Sequence, residues 1–418
     1  MKKILAIYPY AILPPVGGGA LRCLNLLKQL ARENELHAIV HQRKSEWDKF
    51  REEYSIPDTV VFYSALDEIP PPTIFDRLPK KAAQGLKYRW IRRSWRGPAE
   101  STVLRNYHLV EMVLKAHNVD FVLFESLSTM AAAPLVGRRS PHSIRILDAH
   151  NIDHKLLIQQ LASDHEPVRR KSLERSMYKA RWLESNLSRF IETFWACSEE
   201  DRSYLSKTNG IEGTVIPNGV DTNKLSFDEN FDEKVNQKLL FVGSLTYEPN
   251  IDGIRWFHST AWQVLRQNNP RLKLVVVGKG GIPQSFPELD ADESVDLVGE
   301  VPDIIPYYRR GGIAIVPLRM GSGTRLKILE ALSLGNPVVS TTLGAEGIET
   351  ENGKSILIAE NPSQFVEQIE KLQKQGDLVE SLRKNGRKLV EEKYDWKVSG
   401  EKARSHICQL VNQRESSG

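Results

Sequence analysis

Short apolar runs alternate with stretches whose apolar residues recur at helical spacing along most of the 418-residue chain. "KILAIYP" leads into Gly17-Gly18-Gly19 and then into "ALRCLNLLKQLAREN", whose leucines repeat with the helical period. "LHAIVHQ", "VVFYS", "DFVLFES", "IRILDAH" and "ETFWACS" follow as apolar runs, several of them followed by helical patterns. Strands that are apolar on both faces belong to a parallel sheet covered by helices on each side. "GTVIPNGVDTNKL" closes this series with a Pro-Asn-Gly turn, and the acidic "SFDENFDEKVNQ" reads as a linker. A second series runs through "KLLFVGSL", "RLKLVVVGKGG", "VDLVGEV", "IAIVPLR", "NPVVSTT" and "SILIA". The pattern predicts an α/β chain of two doubly wound, Rossmann-like domains, 1–233 and 234–395, facing across a cleft. The last helical pattern, within 396–418, either caps the second sheet or crosses back to the first domain.

Length agrees with two domains rather than one core. No run of about 18 apolar residues exists, so no transmembrane helix is expected. "MKKILAIYPYAILPPVGGG" begins like a signal peptide, but Tyr-Pro breaks its apolar run and no small-x-small cleavage site follows, so it reads as a first strand. Cys23, Cys197 and Cys408 are odd in number and match no metal spacing, which points to a reducing cytoplasm. The net charge of +4 is too small to imply nucleic acid. Its distribution is uneven: Arg77 to Gly97 holds eight Lys or Arg and no acid. Arg89, Arg92 and Arg93 there interleave with Trp90 and Trp95. Such a stretch is either a solvated basic helix or a surface for anionic lipid headgroups or a phosphorylated acceptor.

The stretch with the most chemistry is "MGSGTRLKILEALSLG", after the strand "IAIVPL". Gly321 and Gly323 let backbone amides approach an anion, and Thr324 is placed to cap the helix. Arg325 and Lys327 then fall in the first turn, where the helix dipole disfavours cations. A bound diphosphate resolves that conflict, since free amides and two cations converge on it. The alternative is a flexible loop with Lys327 paired to Glu330. Glu330, two turns along an apolar helix, needs a partner: a ligand hydroxyl such as a ribose diol, or a salt bridge to Lys327 or Arg325. "RILDAHNID" sets Asp148, His150 and Asn151 at a strand's carboxyl end, where α/β proteins bind ligands. "PVGGG" is not a dinucleotide fingerprint and the second strand ends in Gln42, which argues against a nicotinamide dehydrogenase. "DAD" (Asp290 to Asp292) reads as a solvated loop.

In this order, "VIPNGVD", "LLFVGSL", "VGEVPDIIPYY", "IVPLRMGSGTRLKILEALSLGNPVVST" and "DAHN" resemble the retaining glycosyltransferases of the GT-B fold, family 4. The resemblance implies a nucleotide-diphosphate-sugar donor, transfer with retention and without a metal or other cofactor, and a final helix returning to the N-terminal domain. Glu330 matches the ribose-binding glutamate of the family's Glu-x7-Glu motif, whereas Ser322 stands where the first, sugar-contacting glutamate is usual. A hydroxyl bonds a sugar less strongly than a carboxylate. The strand ending at Gly243 is normally followed by an arginine and a Lys-Gly; here Ser244 occupies the arginine position and no lysine is near. Arg325 and Lys327 are therefore expected to supply the missing charge. His150 matches the family histidine that contacts the transferred sugar, Gly17, Gly18 and Gly19 match the loop near the diphosphate and acceptor, and Val301 matches a backbone contact to the base.

The expected mechanism follows. Amides from Gly321 to Leu326, with Arg325 and Lys327, stabilise the leaving diphosphate, and one such donor contributes on the order of 3 kcal/mol to the barrier. The departing phosphate oxygen takes the acceptor's proton, consistent with the lack of a spaced carboxylate pair. The acceptor is expected to be a glycan or a lipid-linked glycan in cell-surface polysaccharide or glycoconjugate synthesis, met in the cytoplasm or at the inner membrane face. The rival readings are a nucleotide-sugar epimerase or hydrolase, and a non-catalytic nucleotide-sugar binder of the same fold.

Overall fold

The computed structural model describes residues 1–67, 101–163, 166–227, 229, 237–321 and 323–416. It divides into two units: Met1–Pro217 with Gly400–Gly418, and Asn218–Ser399.

The first unit is built on β1 (Lys3–Ile7), β2 (Glu35–Val40), β3 (Val60–Ser64), β4 (Phe121–Glu125), β5 (Ile144–Ala149), β6 (Thr193–Ala196) and β7 (Gly213–Val215). They form a parallel sheet in the order β3-β2-β1-β4-β5-β6-β7. Side chains alternate across it. Leu5 and Ile7 enter the apolar core on one face, Ile4, Ala6 and Tyr8 the core on the other. Each fully buried aliphatic side chain of this kind contributes roughly 1.5–3 kcal/mol. β7 is a strand the turn-rich "GTVIPNG" did not predict; it is a three-residue edge, too short for an apolar signal.

The second unit carries β8 (Lys238–Val242), β9 (Lys273–Val277), β10 (Val295–Gly299), β11 (Ile313–Val316), β12 (Val338–Ser340) and β13 (Leu357–Ile358). Their order is β10-β9-β8-β11-β12-β13, again parallel. In β8, Leu239 and Phe241 face one core and Leu240 and Val242 the other. In each sheet the strand order reverses once, between β1 and β4 and between β8 and β11. Ligands of open parallel sheets bind outside the carboxyl ends of the strands at such a reversal.

The second unit begins at Asn218, earlier than the predicted boundary near 233. The Pro-Asn-Gly segment is tied to that unit's last helices. Val220 bridges to Asp395, the Thr222 amide and hydroxyl both donate to Asp395 Oδ2 (3.1 and 2.5 Å), and Arg387 donates to the Thr222 and Leu225 carbonyls (3.0 and 2.6 Å). Of the expected linker, residues 228 and 230–236 lie outside the described residues. The last helix, Trp396–Glu415, crosses back: from Gly400 onward it belongs to the first unit. Its Ala403 and Ile407 join that unit's core, His406 Nδ1 accepts from Trp195 Nε1 at 2.9 Å, and Arg404 donates to the Gln29 carbonyl at 3.2 Å. The "DAD" loop is more than solvated. Asp292 accepts hydrogen bonds from Trp262 Nε1 (3.1 Å) and the Ser294 amide (2.9 Å), and its Oδ2 lies 3.0 Å from His258 Nε2, so it pins a turn.

Candidate functional site

In the second unit the chain leaves β11 through a loop whose Gly321 and Gly323 have φ of 115° and 80°. Those values suit glycine alone, and they place the loop's amides ahead of the helix Leu326–Leu334. The helix starts later than expected. Arg325, not Thr324, holds the N-cap position, and no side chain caps the first turn, whose Ile328 amide donates to the Arg325 carbonyl at 2.9 Å. Arg325 is buried. Its Nη1 bonds the Gly323 carbonyl, and its Nη2 is buried without a hydrogen-bond partner among the described residues. Burial holds its pKa below the usual arginine value.

Lys327 is packed beside it. Its Nζ donates to Asn250 Oδ1 at 2.8 Å and lies 4.6 Å from the centre of the Phe241 ring. Asn250 Nδ2 in turn donates to the Ser244 carbonyl at 2.8 Å, fastening the loop after β8. A Cβ on Gly243 would fall 2.6 Å from Lys327 Nζ and 2.9 Å from Asn250 Nδ2, so only glycine lets the lysine reach this loop. Burial, and then the charge of Arg325, push the Lys327 pKa down to about 7. The predicted alternative, an ion pair to Glu330, does not form; among the described residues Lys327 contacts no carboxylate within salt-bridge distance. Glu330 takes its bond from the Tyr308 hydroxyl at 3.5 Å, and burial pushes its pKa up to about 7. Val301 and Leu326 are partly buried against one apolar cluster. Ser322 lies outside the described residues.

Two basic side chains with no carboxylate at salt-bridge distance among the described residues, a helix start without a side-chain cap and a carboxylate held near neutrality make an electropositive cluster with one hydrogen-bonding acid. It suits a diphosphate next to a group bearing hydroxyls. Asn250, Tyr308 and Phe241 escaped the sequence reading. They lie 77, 19 and 86 positions from Lys327, and the pairing of β8 with β11 sets Phe241 and the loop before Asn250 beside the strand that leads to Lys327.

The first unit gathers a second set. The helix Gly17–Leu30 starts after a β1 loop, and a Cβ on Gly19 would fall 2.2 Å from Tyr10 Oη and 3.5 Å from His150 Nδ1. Arg22, one turn on, grips Asp148 at the end of β5 with two bonds, 2.8 and 2.6 Å, and gives a third to the Ile216 carbonyl at 2.8 Å. His150 Nε2 lies 3.4 Å from Asp148 Oδ2, 3.6 Å from Glu125 Oε2 and 4.0 Å from Cys23 Sγ. Glu125, the last residue of β4, is fully buried, and its Oε1 has no hydrogen-bond partner among the described residues. Cys23 Sγ donates to its other oxygen at 3.5 Å.

Burial opposes charge on His150; Cys23, Asp148 and Glu125 outweigh it and hold the imidazole pKa well above its usual value. Burial and Glu125 push the Cys23 thiol up to about 12, so it is neutral and the two carboxylates sustain the histidine's charge. Burial would raise Asp148, but Arg22 and His150 hold it well below the usual range, whereas burial raises Glu125. Cys23, Glu125 and His150 offer three ligand atoms within 4.8 Å of one another, as do Glu35, His37 and His117. Both sets are engaged internally: His37 Nε2 lies 2.9 Å from Glu35 Oε1 and Nδ1 3.1 Å from the Tyr63 hydroxyl. A cavity of about 740 Å³ borders Gly17, Gly18 and Gly19, with Tyr10, Lys49 and Phe50 also in its wall. Arg22, Cys23 and Glu125 were missed because they read as ordinary helix and strand residues. The basic segment with Arg89, Trp90, Arg92, Arg93 and Trp95 lies outside the described residues. Among the described residues no helix is long and apolar enough to cross a membrane.

The model of Glycosyltransferase Family 4 matches residues 16–224, half of the chain, and that of glycosyl transferases group 1 matches residues 236–375. An uncharacterised 44.6 kDa protein of the cps region of Klebsiella pneumoniae is 28% identical over 169 residues, 39% of this chain and 44% of that protein. The Staphylococcus aureus capsular polysaccharide biosynthesis glycosyltransferase CapM is 28% identical over 230 residues, 51% of this chain and 59% of CapM. The chain thus spans about half the length of the curated relatives it matches. Among solved structures, HepE of Anabaena in complex with UDP and glucose is similar at a TM-score of 0.62 and 14% identity, over 98% of this chain and 100% of HepE. A glycosyltransferase from Rickettsia africae gives 0.66 at 14%, over 98% of each chain. A variant of S. aureus TarM in complex with UDP gives 0.65 at 11%, over 97% and 99%. At such identities the likeness establishes the fold, the two-domain GT-B architecture. With half its length matched by one family model and most of the rest by its companion, the chain belongs to the group 1 glycosyltransferases of family 4.

Proposed function

We propose that the chain transfers a sugar from a nucleoside-diphosphate sugar to a glycan or lipid-linked acceptor, with retention of configuration and without a metal, in cell-surface polysaccharide synthesis. The observation that carries this reading is the pair Arg325, buried, and Lys327, half-buried, at a helix start that no side chain caps, neither within salt-bridge distance of a carboxylate among the described residues. Charge that grows on a leaving diphosphate meets fixed donors there, which is where electrostatic catalysis is strongest. Glu330 accepts from the donor's ribose hydroxyls. His150 orients the transferred sugar, and the cavity beside Gly17 to Gly19 receives the acceptor. The leaving phosphate oxygen takes the acceptor's proton as the new glycosidic bond forms and the bond from the anomeric carbon to phosphate breaks. The kinship with CapM supports a polysaccharide product. The basic, aromatic segment Arg77 to Gly97 supports, by its sequence alone, contact with anionic lipid.

The test is turnover. UDP- and GDP-sugars are supplied with and without a panel of glycan and lipid-diphosphate acceptors, with a chelator present, and the product's anomeric configuration is read by NMR. Acceptor-dependent release of nucleoside diphosphate with retention is expected, and Arg325→Ala should lower kcat about a hundredfold. Donor consumption that ignores the acceptor would favour an epimerase or hydrolase instead.

A further inference from the structure

His150 is surrounded by titratable groups from every element packed against it. Tyr8 and Tyr10 approach from β1 and its loop, Arg22 and Cys23 from the helix Gly17–Leu30, Glu125 from β4, Asp148 from β5, Asp153 from the following helix and Cys197 from the end of β6. These groups are not equivalent. Asp148 is already committed, since both its oxygens take bonds from Arg22. Glu125 is not: among the described residues its one ion-pair partner is His150, and Oε1 has no hydrogen-bond partner. A buried carboxylate so poorly satisfied is a costly way to fill space in a strand that is otherwise apolar.

The ring has two faces of business. Its Nε2 looks inward at Glu125 and Asp148, while Nδ1 lies toward the Gly17–Gly19 loop, within 3.5 Å of where a side chain on Gly19 would begin. We propose that Glu125 is a positioning residue for His150: facing Nε2 across 3.6 Å as a charge rather than a hydrogen-bond acceptor, it keeps that nitrogen protonated and so presents Nδ1 to the loop as the working atom. A hydrogen on Nε2 is what two facing carboxylates require. The same carboxylate favours the imidazolium over the neutral ring, so Nδ1 also carries a hydrogen at neutral pH and acts as a charge-assisted donor. This rests on the proposed transfer reaction, in which that donor meets an oxygen of the bound nucleotide sugar.

The test separates the two ideas. His150 is followed by ring-nitrogen NMR in histidine-labelled full-length protein, assigned with His150→Gln, before any substrate is added. Wild-type His150 is expected to remain an imidazolium through pH 8, and in Glu125→Gln to titrate at or below about 6.5. Glu125→Asp should restore part of the shift. With donor and acceptor, the pH dependence that Lys327 and Glu330 give to kcat/KM is common to both proteins, so the readout between pH 6 and 8 is Glu125→Gln relative to wild type. Glu125→Gln should lose about tenfold per unit as pH rises above its new His150 pKa. If wild-type His150 titrates near 6.5, the proposal is overturned, whether or not transfer is ever observed. A loss in Glu125→Gln that is equal at every pH would also overturn it, because a merely structural carboxylate gives that result. Should no transfer occur while the NMR shift is as expected, the reaction is wrong and the positioning stands.

Discussion

Donor binding should depend on pH because of Lys327. In the free protein this amine titrates at about 7, since burial and Arg325 both disfavour its charge. A phosphate about 4 Å away, at an effective dielectric of about 20, favours that charge by about 4 kcal/mol. That equals about three pKa units. Binding above pH 7 must therefore take up a proton on Lys327, and apparent affinity falls with rising pH by up to tenfold per unit. Glu330 acts in the opposite sense. Its pKa is also raised to about 7, and it must be ionised to accept two ribose hydroxyls, so affinity falls again below 7. The expected profile peaks near pH 7. Titration calorimetry with UDP-glucose and with a GDP-sugar measures it directly, because their diphosphates do not titrate near neutrality. At pH 8, buffers of different ionisation enthalpy should report uptake of close to one proton per donor bound. Lys327→Ala should weaken binding at pH 7 by about 2 kcal/mol, roughly thirtyfold, and abolish the high-pH limb. A wild-type profile that is level from pH 7 to 9, or one with the same slope in Lys327→Ala, would refute the reasoning.

Two further outcomes are expected. A lysine whose folded pKa lies below its unfolded value costs stability at every pH below the unfolded pKa, and the full cost applies below about 7. Lys327→Met should thus raise the thermal midpoint at pH 7 while donor affinity falls; a lower midpoint would show that the amine is not desolvated. Arg22→Ala leaves the buried Asp148 without its two guanidinium bonds, with His150 alone beside it, and should destabilise the fold by about 3–5 kcal/mol, measured by urea denaturation. A loss under 1 kcal/mol would mean that water reaches the carboxylate.

The strands were legible because a parallel sheet buries both faces, so "KILAI" and "DFVLFE" are apolar throughout and need no partner to be recognised. The helix at Leu326 was legible for the same reason, its apolar positions falling on the sheet side. Its first residue was not. Thr324 is a good cap by type, but the close fit of Arg325 against the Gly323 carbonyl puts arginine at that position instead. His150 was found from its place after a strand. Arg22 and Glu125 were not, since crossover connections carry the chain far away before returning it to the neighbouring strand end. The domain boundary was misplaced because acidity marks exposure, whereas the unit's true start at Asn218 is set by Asp395 and Arg387, far along the chain.

The last helix has a meaning for synthesis. Gly400 and the residues after it complete the core begun by Ile4 and Ala6, yet they are translated after the whole of the second unit. Until then Ala403 and Ile407 are missing from the first unit, and the apolar surface they cover stays open to water and to other chains. The first-made unit is therefore finished last. A fragment ending at Pro217 would be left in that unfinished condition permanently, and the second unit, made in one piece, is the better choice for study by itself.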